Sequence, residues 1–390
     1  MRLALEGSQA IARAVGLCRP QVVAAYPITP QTHIVENIAS LVADGEFACE
    51  LVSVESEFSA ASVVLGAAAA GARAYTASSS QGLLLMAEVL FDIAGMRVPL
   101  VLTCANRAVS APLSIWNDQQ DSMAVRDAGW IQLYCQDNQE AVDATIQAFR
   151  IAERCELPVM VCVDGFTLTH TLEPIDLPDR ELVDGFLPPY VFQRALDPNH
   201  ARSIGMLVGP EHYSEARHAH HRALERSTAE IESAFADWRE LTGRGDAALI
   251  AVDDVPGARI GVLTIGSVFG TLVEARDAYP DLDPVRLMRM RAFRPFPFEA
   301  LHVACAGLDE LIVVERALSP GAGGILANEV RAALYGAAGA PRVHGFAIGL
   351  GGRDMPVELY PRIIEQAQAA TPARFSVLDL VAERLAVEEH

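Results

Sequence analysis

The sequence predicts an α/β protein built on parallel β-sheets that are covered by helices on both faces. Three observations predict this class. The strand candidates up to about residue 170 are short, continuous apolar runs, helical patterns of a dozen or more residues separate them, and the same alternation resumes near Arg259. Strands buried on both faces appear as unbroken apolar runs, and parallel neighbours need a helical crossover between them.

The first region contains five strand candidates and four helix candidates in alternation. The strands are VVAAYPI (22–28), ELVSVE (50–55), ARAYTAS (72–78), PLVLTCAN (99–106) and PVMVCVDGF (158–166). The helices are HIVENIASLVADG (33–45), FSAASVVLGAAAAG (58–71), GLLLMAEVLFDIAGM (82–96) and QEAVDATIQAFRIAERCE (139–156). This order predicts one parallel sheet.

The second half begins with an irregular segment and a long helix. Residues 171–212 are rich in Pro, Asp and aromatic residues without a sustained period, whereas residues 214–242 form one charged helical pattern. Turn signals in 243–258 predict a domain boundary. We therefore expect a first domain over 1–245, including the segment 171–242, and a second α/β domain over 256–390.

Composition and charge exclude several classes of protein. The 50 acidic and 30 basic residues give a formal charge of −20, which argues against nucleic-acid or anionic-membrane partners. All the basic residues are arginine, so lysine Schiff-base enzymes and P-loop NTPases are excluded. The seven cysteines contain no CxxC pattern, so we expect no zinc ribbon or cysteine-ligated cluster within this chain and a reducing, cytoplasmic setting. We expect no signal peptide, membrane span or metal ligands.

Polar residues follow the first two predicted strands. Thr29 lies between Pro27 and Pro30, which hold the backbone extended where open α/β sheets bind ligands, although an ordinary proline-stiffened strand exit explains the same pattern. Glu55 and Glu57 begin a helix that is almost wholly apolar. They complement the helix dipole from solvent, or one of them is a carboxylate with a raised pKa that exchanges a proton with a ligand nitrogen.

The next two strands end in the same way. Ser80 and Gln81 open an apolar helix, so they are candidate cofactor-binding residues, while simple helix capping is the alternative. Arg107 ends the fourth strand before a loop dense in amides and carboxylates, and its planar guanidinium suits a substrate carboxylate. We expect all four polar clusters to converge on one edge of one sheet.

These motifs, in this order, resemble the α subunit of 2-oxoacid:ferredoxin oxidoreductases, most closely the pyruvate type. The resemblance rests on YPITP, the SE-containing helix start, SSSQGLLLM, LSIWNDQQD and VDGF over residues 1–170, and on RAFRPFP and VVERALSPGAGG later in the chain. It implies a pyrimidine-type thiamine-diphosphate-binding domain followed by a domain like the transketolase C-terminal domain.

The resemblance also implies roles for the site residues. Glu57 is implied as the carboxylate that contacts the aminopyrimidine nitrogen of the cofactor, and Glu55 stays open as the alternative. Thr29 and Arg107 are implied as the groups that hold the carboxylate of the oxoacid.

Thiamine enzymes bind pyrophosphate and Mg²⁺ through a GDG motif, which this sequence lacks. The resemblance therefore implies a β subunit that supplies the pyrophosphate and Mg²⁺ site, a γ subunit, and a ferredoxin-like δ subunit, with [4Fe-4S] clusters on the partners. It implies coenzyme A as acyl acceptor and ferredoxin as electron acceptor.

We therefore predict the α subunit of an enzyme that oxidatively decarboxylates a 2-oxoacid, with pyruvate as first choice, or runs the reverse reaction. One alternative is a relative that acts on phenylglyoxylate or a branched-chain oxoacid and is linked to NAD. An alternative of another class is a non-catalytic scaffold subunit with a relict pocket.

Overall fold

The computed structural model describes residues 1–369 and 372–385. The strands are β1 (Arg2–Glu6), β2 (Val22–Ala25), β3 (Glu50–Ser53), β4 (Ala74–Ser78), β5 (Val101–Asn106), β6 (Ile131–Tyr134), β7 (Val159–Asp164), β8 (Leu172–Asp176), β9 (Ile250–Asp253), β10 (Ile260–Thr264), β11 (Val285–Met290), β12 (Ala292–Arg294), β13 (Glu310–Glu315), β14 (Arg342–Ala347) and β15 (Phe375–Val377). The helices are α1 (Gly7–Cys18), α2 (Thr32–Ala43), α3 (Glu57–Ala69), α4 (Ser80–Leu85), α5 (Ala87–Gly95), α6 (Gln120–Ala124), α7 (Asn138–Cys155), α8 (Arg180–Phe186), α9 (Pro210–Thr242), α10 (Val268–Ala278), α11 (Phe298–Ala304), α12 (Ile325–Leu334), α13 (Leu359–Gln368) and α14 (Ala382–Leu385), with a short 3₁₀ turn at Leu350–Gly352.

The chain divides into two compact units. The first contains Met1–Ala251 and Met290–Pro297, and the second contains Val252–Arg289 and Phe298–His390. The division falls inside β9, within the segment where the sequence predicts only turns. The expected domain limits at 245 and 256 stay predictions. Residues 290–297 belong to the first unit, so this unit consists of two separate segments of the chain, which a single boundary cannot describe.

The first unit is built on a seven-stranded sheet in the order β12-β6-β7-β5-β4-β2-β3. The strands from β6 to β3 are parallel, and only β12 is antiparallel. Every residue of the central strands β4, β5 and β7 is buried, because helices cover both faces. The carboxyl ends of the parallel strands therefore lie at one edge of the sheet.

Several elements of the first unit differ from the sequence-based prediction. The segment predicted as irregular contains β8, which pairs antiparallel with β1, and the helix α8. The four-residue strand β6 escaped prediction because so short a run carries little periodicity. The helix predicted over 82–96 is two helices, α4 and α5, that meet at Met86.

The long helix α9 begins earlier than its charged pattern predicts. It starts at Pro210, since the fixed φ of proline fits the first helical position, where no backbone donor is needed. It ends at Gly243, whose φ of 70° is the left-handed conformation that commonly closes a helix. Throughout residues 1–369 and 372–385, each helix is too short or too polar to cross a lipid bilayer.

The second unit has a six-stranded sheet in the order β15-β14-β13-β10-β11-β9. Glu315 at the end of β13 accepts the backbone N–H groups of Ile325, Leu326 and Ala327 at the start of α12, at 2.8, 2.8 and 3.0 Å. Burial raises the pKa of Glu315 to about 7. A Cβ on Gly324 would lie 2.1 Å from Oε1 of Glu315, so the strand and the helix approach closely only because residue 324 is glycine.

The start of α1 packs so tightly that Gly7→Ala should destabilise the first unit by about 1–3 kcal/mol. A Cβ on Gly7 would lie 2.2 Å from the backbone oxygen of Leu168 and 2.3 Å from Oδ1 of Asn138. Urea unfolding of the purified protein measures this change. The control is Gly185→Ala in α8, whose Cβ would meet no atom within 4 Å. Equal midpoints for the two variants would contradict the tight packing.

Candidate active site

The candidate site lies at the carboxyl edge of the first sheet, where the sequence predicts the polar clusters to converge. Nη1 of Arg107, after β5, donates to the backbone oxygen of Thr29, after β2, at 3.0 Å. The hydroxyl of Ser80, after β4, lies 2.5 Å from the backbone oxygen of Ala108. The carboxylate of Glu57, after β3, lies against α4 at Gly82. The four strand ends therefore meet in one region.

Arg107 is a buried cation whose orientation is set by the backbone. Its side chain donates from Nε to the oxygen of Ser114 and from Nη1 to that of Thr29, both at 3.0 Å, and the residue is 7% exposed. Burial lowers the pKa of Arg107, but guanidinium remains charged at any physiological pH. Within the described residues, no carboxylate pairs with this guanidinium and nothing accepts a hydrogen bond from its Nη2. The guanidinium thus has a nitrogen, Nη2, whose N–H groups the described residues leave unbonded.

Glu57 and Glu55 are two residues apart but differ in environment. Glu57, the first residue of α3, is 7% exposed, and no donor in the described part of the chain bonds its carboxylate. A Cβ on Gly82 would lie 2.5 Å from Oε1 of Glu57, so glycine at position 82 makes room for the carboxylate. Glu55 is exposed, and a hydrogen bond from the hydroxyl of Ser59 lowers its pKa.

Most polar atoms of Ser80 and Gln81 form hydrogen bonds within the protein. Ser80 has a φ of 50°, its N–H donates 2.8 Å to Asp121, and its hydroxyl lies 2.5 Å from both Ala108 O and Gln81 Oε1. The hydroxyl of Ser80 is therefore engaged by the protein itself. Nε2 of Gln81, by contrast, is buried without a hydrogen-bond partner among the described residues.

Sequence reasoning missed Asp121, which connects the clusters. This fully buried residue of α6 accepts on Oδ2 from the backbone N–H groups of Ser80 and Arg107, at 2.8 and 3.0 Å. Its Oδ1 accepts from Nδ2 of Asn106 and from the N–H of Ser122, both at 2.8 Å. Burial raises the pKa of Asp121, and these hydrogen bonds oppose that rise. The position of Asp121 in the polar LSIWNDQQD segment was the only sequence signal.

Two buried amide side chains near these strand ends were also missed. Asn117 is 1% exposed, and neither polar atom of its amide has a partner among the described residues. Gln31 is fully buried, and its Oε1 accepts the N–H of Ile28 at 3.2 Å while its Nε2 has no partner in the same part of the chain. A buried polar group without a hydrogen bond costs about 1–3 kcal/mol, so these amides are groups that a bound water or ligand would satisfy.

The loop after Arg107 folds back over the strand ends and carries exposed apolar residues. The N–H of Ala108 donates 3.0 Å to the oxygen of Trp116, and the ring of Trp116 packs on Phe166 with centroids 4.6 Å apart. Phe166 has a φ of 60°, a conformation that bulky residues rarely adopt. Leu113 and Trp116 are 75% and 53% exposed.

The structure also brings together three residues with metal-ligating side chains that the sequence analysis did not name. Glu6, His33 and His170 have ligand atoms within 4.8 Å of one another. Nδ1 of His33 lies 3.0 Å from Oε1 of Glu6, which also caps α1, and the rings of His33 and His170 pack at 4.5 Å.

Fold and site define a thiamine-diphosphate-binding type of α/β protein, and sequence comparison agrees. Residues 13–236 match the family described as pyruvate flavodoxin/ferredoxin oxidoreductase, thiamine-diphosphate-binding. Residues 258–359 match pyruvate:ferredoxin oxidoreductase core domain II.

Curated relatives match nearly end to end. Pyruvate synthase subunit PorA of Methanosarcina barkeri is 43% identical over 96% of this chain and 94% of the relative, and PorA of Methanothermobacter thermautotrophicus is 44% identical over 93% and 94%. Ketoisovalerate oxidoreductase subunit VorA of Pyrococcus abyssi is 40% identical over 93% and 92%. The chain therefore belongs to the 2-oxoacid:ferredoxin oxidoreductase family, as the α subunit of such an enzyme.

A solved structure shares the fold. The 2-oxoglutarate:ferredoxin oxidoreductase of Magnetococcus marinus, with 2-oxoglutarate, coenzyme A and succinyl-CoA bound, superposes with a TM-score of 0.70 at 22% identity. The match covers 94% of this chain, which spans 65% of that larger chain. The family, the α/β fold class and the enzyme class predicted from sequence are confirmed.

Proposed function

We propose that this α subunit holds pyruvate and the pyrimidine half of thiamine diphosphate during coenzyme A-dependent oxidative decarboxylation. The proposal rests on the surroundings of Arg107. Its guanidinium is buried, its Nε and Nη1 donate to backbone carbonyls, and its Nη2 has no partner within the described residues. A buried cation without a protein anion is costly unless a ligand supplies the negative charge.

Arg107 binds the carboxylate of the oxoacid in this proposal. Its orientation is set by Ser114 and Thr29, so little side-chain freedom is lost when the substrate arrives. The side chain of Thr29, which is exposed and makes no hydrogen bond within the described residues, adds a hydroxyl beside the same position. Arg107 and Thr29 thus hold the carboxylate while the neighbouring ketone reacts.

The residues present fit the pyrimidine half of the cofactor. The carboxylate of Glu57 is buried and unpaired, so it is available to hold a proton against a ring nitrogen, while the exposed, hydrogen-bonded Glu55 fits that role less well. The unpartnered amides of Gln31, Gln81 and Asn117 supply further groups for a polar ligand. When bound, thiamine diphosphate supplies the nucleophile and the electron sink for decarboxylation.

The chain holds only part of such a site, so we propose that partners complete it. A β subunit supplies the pyrophosphate and Mg²⁺ site, since this sequence has no GDG motif, and it covers the exposed apolar residues Leu113 and Trp116 beside Arg107. Subunits of γ and δ type complete the enzyme, and [4Fe-4S] clusters on the partners carry the electrons. The seven cysteines here are free and dispersed and suit a reducing, cytoplasmic setting.

The balanced reaction converts pyruvate, coenzyme A and two oxidised ferredoxins to acetyl-CoA, carbon dioxide, two reduced ferredoxins and a proton, or runs in reverse. Pyruvate is favoured over branched-chain oxoacids because the relatives named for pyruvate reach 44% identity, against 40% for those named for ketoisovalerate. Trp116, in the loop after Arg107, packs on Phe166 and lines the oxoacid pocket in this proposal.

Arg107→Ala in the assembled complex should lower kcat/KM for pyruvate about 100-fold or more. The reason is that loss of a buried contact between opposite charges costs about 3 kcal/mol. Steady-state assays with ferredoxin and coenzyme A measure it. Arg13→Ala, which removes a partly exposed arginine paired with Glu46, is the control and should retain activity. Unchanged activity in Arg107→Ala would favour the non-catalytic scaffold interpretation.

Glu57→Gln should lower kcat about 100-fold, because a positioned acid–base group contributes on that scale, while thiamine diphosphate remains bound. Glu55→Gln is the matched control and should stay within about twofold of wild type, since its carboxylate is solvent-exposed. Activity and cofactor content of both purified complexes decide the assignment. Loss of activity in Glu55→Gln alone would reverse the two roles.

A panel of pyruvate, 2-oxoisovalerate, phenylglyoxylate and 2-oxoglutarate tests the substrate. We expect kcat/KM to be highest for pyruvate by about tenfold or more, because each additional group must fit a confined pocket. If kcat/KM for another oxoacid exceeds that for pyruvate, the enzyme is assigned to that oxoacid instead. Parallel assays with NAD in place of ferredoxin test the electron acceptor.

A further inference from the structure

A buried carboxylate outside the proposed substrate contacts organises the groups that make those contacts. Asp121 lies on the five-residue helix α6, yet its two oxygens accept four hydrogen bonds of 2.8–3.0 Å. Two of them come from the backbone after β4 and β5, at Ser80 and Arg107. One carboxylate thus connects the end of β4, where the proposed cofactor-binding Ser80 lies, with the end of β5, where the proposed substrate-binding Arg107 lies.

The same carboxylate holds the backbone of Arg107 without occupying its guanidinium. Asp121 accepts the backbone N–H of Arg107, while the side chain of Arg107 bonds backbone carbonyls. An ion pair would have consumed the guanidinium N–H groups, whereas this arrangement leaves Nη2 for a ligand.

We infer that Asp121 is a positioning residue, which sets the location of Arg107 for binding the oxoacid carboxylate. The inference rests on the proposed function of Arg107. Without the carboxylate, the N–H groups of Ser80 and Arg107 lose their acceptor, and the amide of Asn106 keeps only its contacts with Ser122 and Cys104. The backbone at Arg107 then shifts, and the guanidinium is no longer held in its binding position.

Positioning requires that Asp121 act through Arg107, which a double-mutant cycle tests directly. In the assembled enzyme, KM for pyruvate and Ki for oxamate, an unreactive isostere of pyruvate, are measured for wild type, Asp121→Asn, Arg107→Ala and the double variant. Asp121→Asn should raise both constants about tenfold or more, because small displacements of a binding group cost on that scale. KM for coenzyme A should change less than about twofold. In the Arg107→Ala background, Asp121→Asn should add less than about twofold.

The matched control is Asp143→Asn. Asp143 is also buried, on α7 of the same unit, and accepts two hydrogen bonds of 2.9 Å from Arg244 and one from Gln139. None of these residues belongs to the candidate site. Asp143→Asn should lower the unfolding midpoint while leaving KM and Ki within about twofold of wild type.

The outcomes separate this inference from the proposed function. If Arg107→Ala leaves Ki for oxamate unchanged, the proposed role of Arg107 is wrong. If Arg107→Ala raises Ki and the effects of the two substitutions simply multiply, only the positioning role of Asp121 is overturned. Should Asp121→Asn fail to assemble, Asp121→Ser, whose hydroxyl still accepts one hydrogen bond, is tested in the same cycle with the same expected direction.

Discussion

The hydrogen bonds to the buried carboxylate of Asp121 are the constraint on which the candidate site depends. Parallel strands bring their carboxyl ends to one edge, but the backbone that leaves each strand is free to turn in many directions. Asp121 removes that freedom at two neighbouring strand ends by accepting the N–H groups of Ser80 and Arg107. The four hydrogen bonds offset the cost of burying its charge and make the carboxylate a structural centre.

The groups around this centre are the basis of our proposal that a partner subunit completes the site. Arg107 is buried with its side chain bonded only to neutral carbonyls. The loop that follows it exposes apolar residues such as Leu113 and Trp116, and exposed apolar surface is common where another protein binds. In the proposed function, a β subunit covers these residues and supplies the rest of the cofactor site.

Glu55 and Glu57 lie on either side of Ser56, the N-cap residue of α3, and differ in exposure although they are two residues apart. Ser56 caps the helix by accepting the N–H of Ser59, and this turn directs Glu55 to solvent and Glu57 toward α4. The absence of a side chain at Gly82 leaves the space that Glu57 occupies. In the proposed function this buried carboxylate, which no donor bonds within the described residues, contacts the cofactor, and ligand binding offsets the cost of its burial.

The sequence by itself determined the fold class, the alternation of strands and helices, the polar strand ends and the family, because apolar periodicity, strand direction and short motifs are local properties of the chain. Only the tertiary structure decided that Glu57 rather than Glu55 is buried, that Asp121 joins β4 and β5, and that residues 292–294 pair with β6. Each of these depends on residues distant in sequence that meet across the folded sheet. No local sequence pattern encodes these contacts, because they stabilise the protein only when both segments have reached their folded positions.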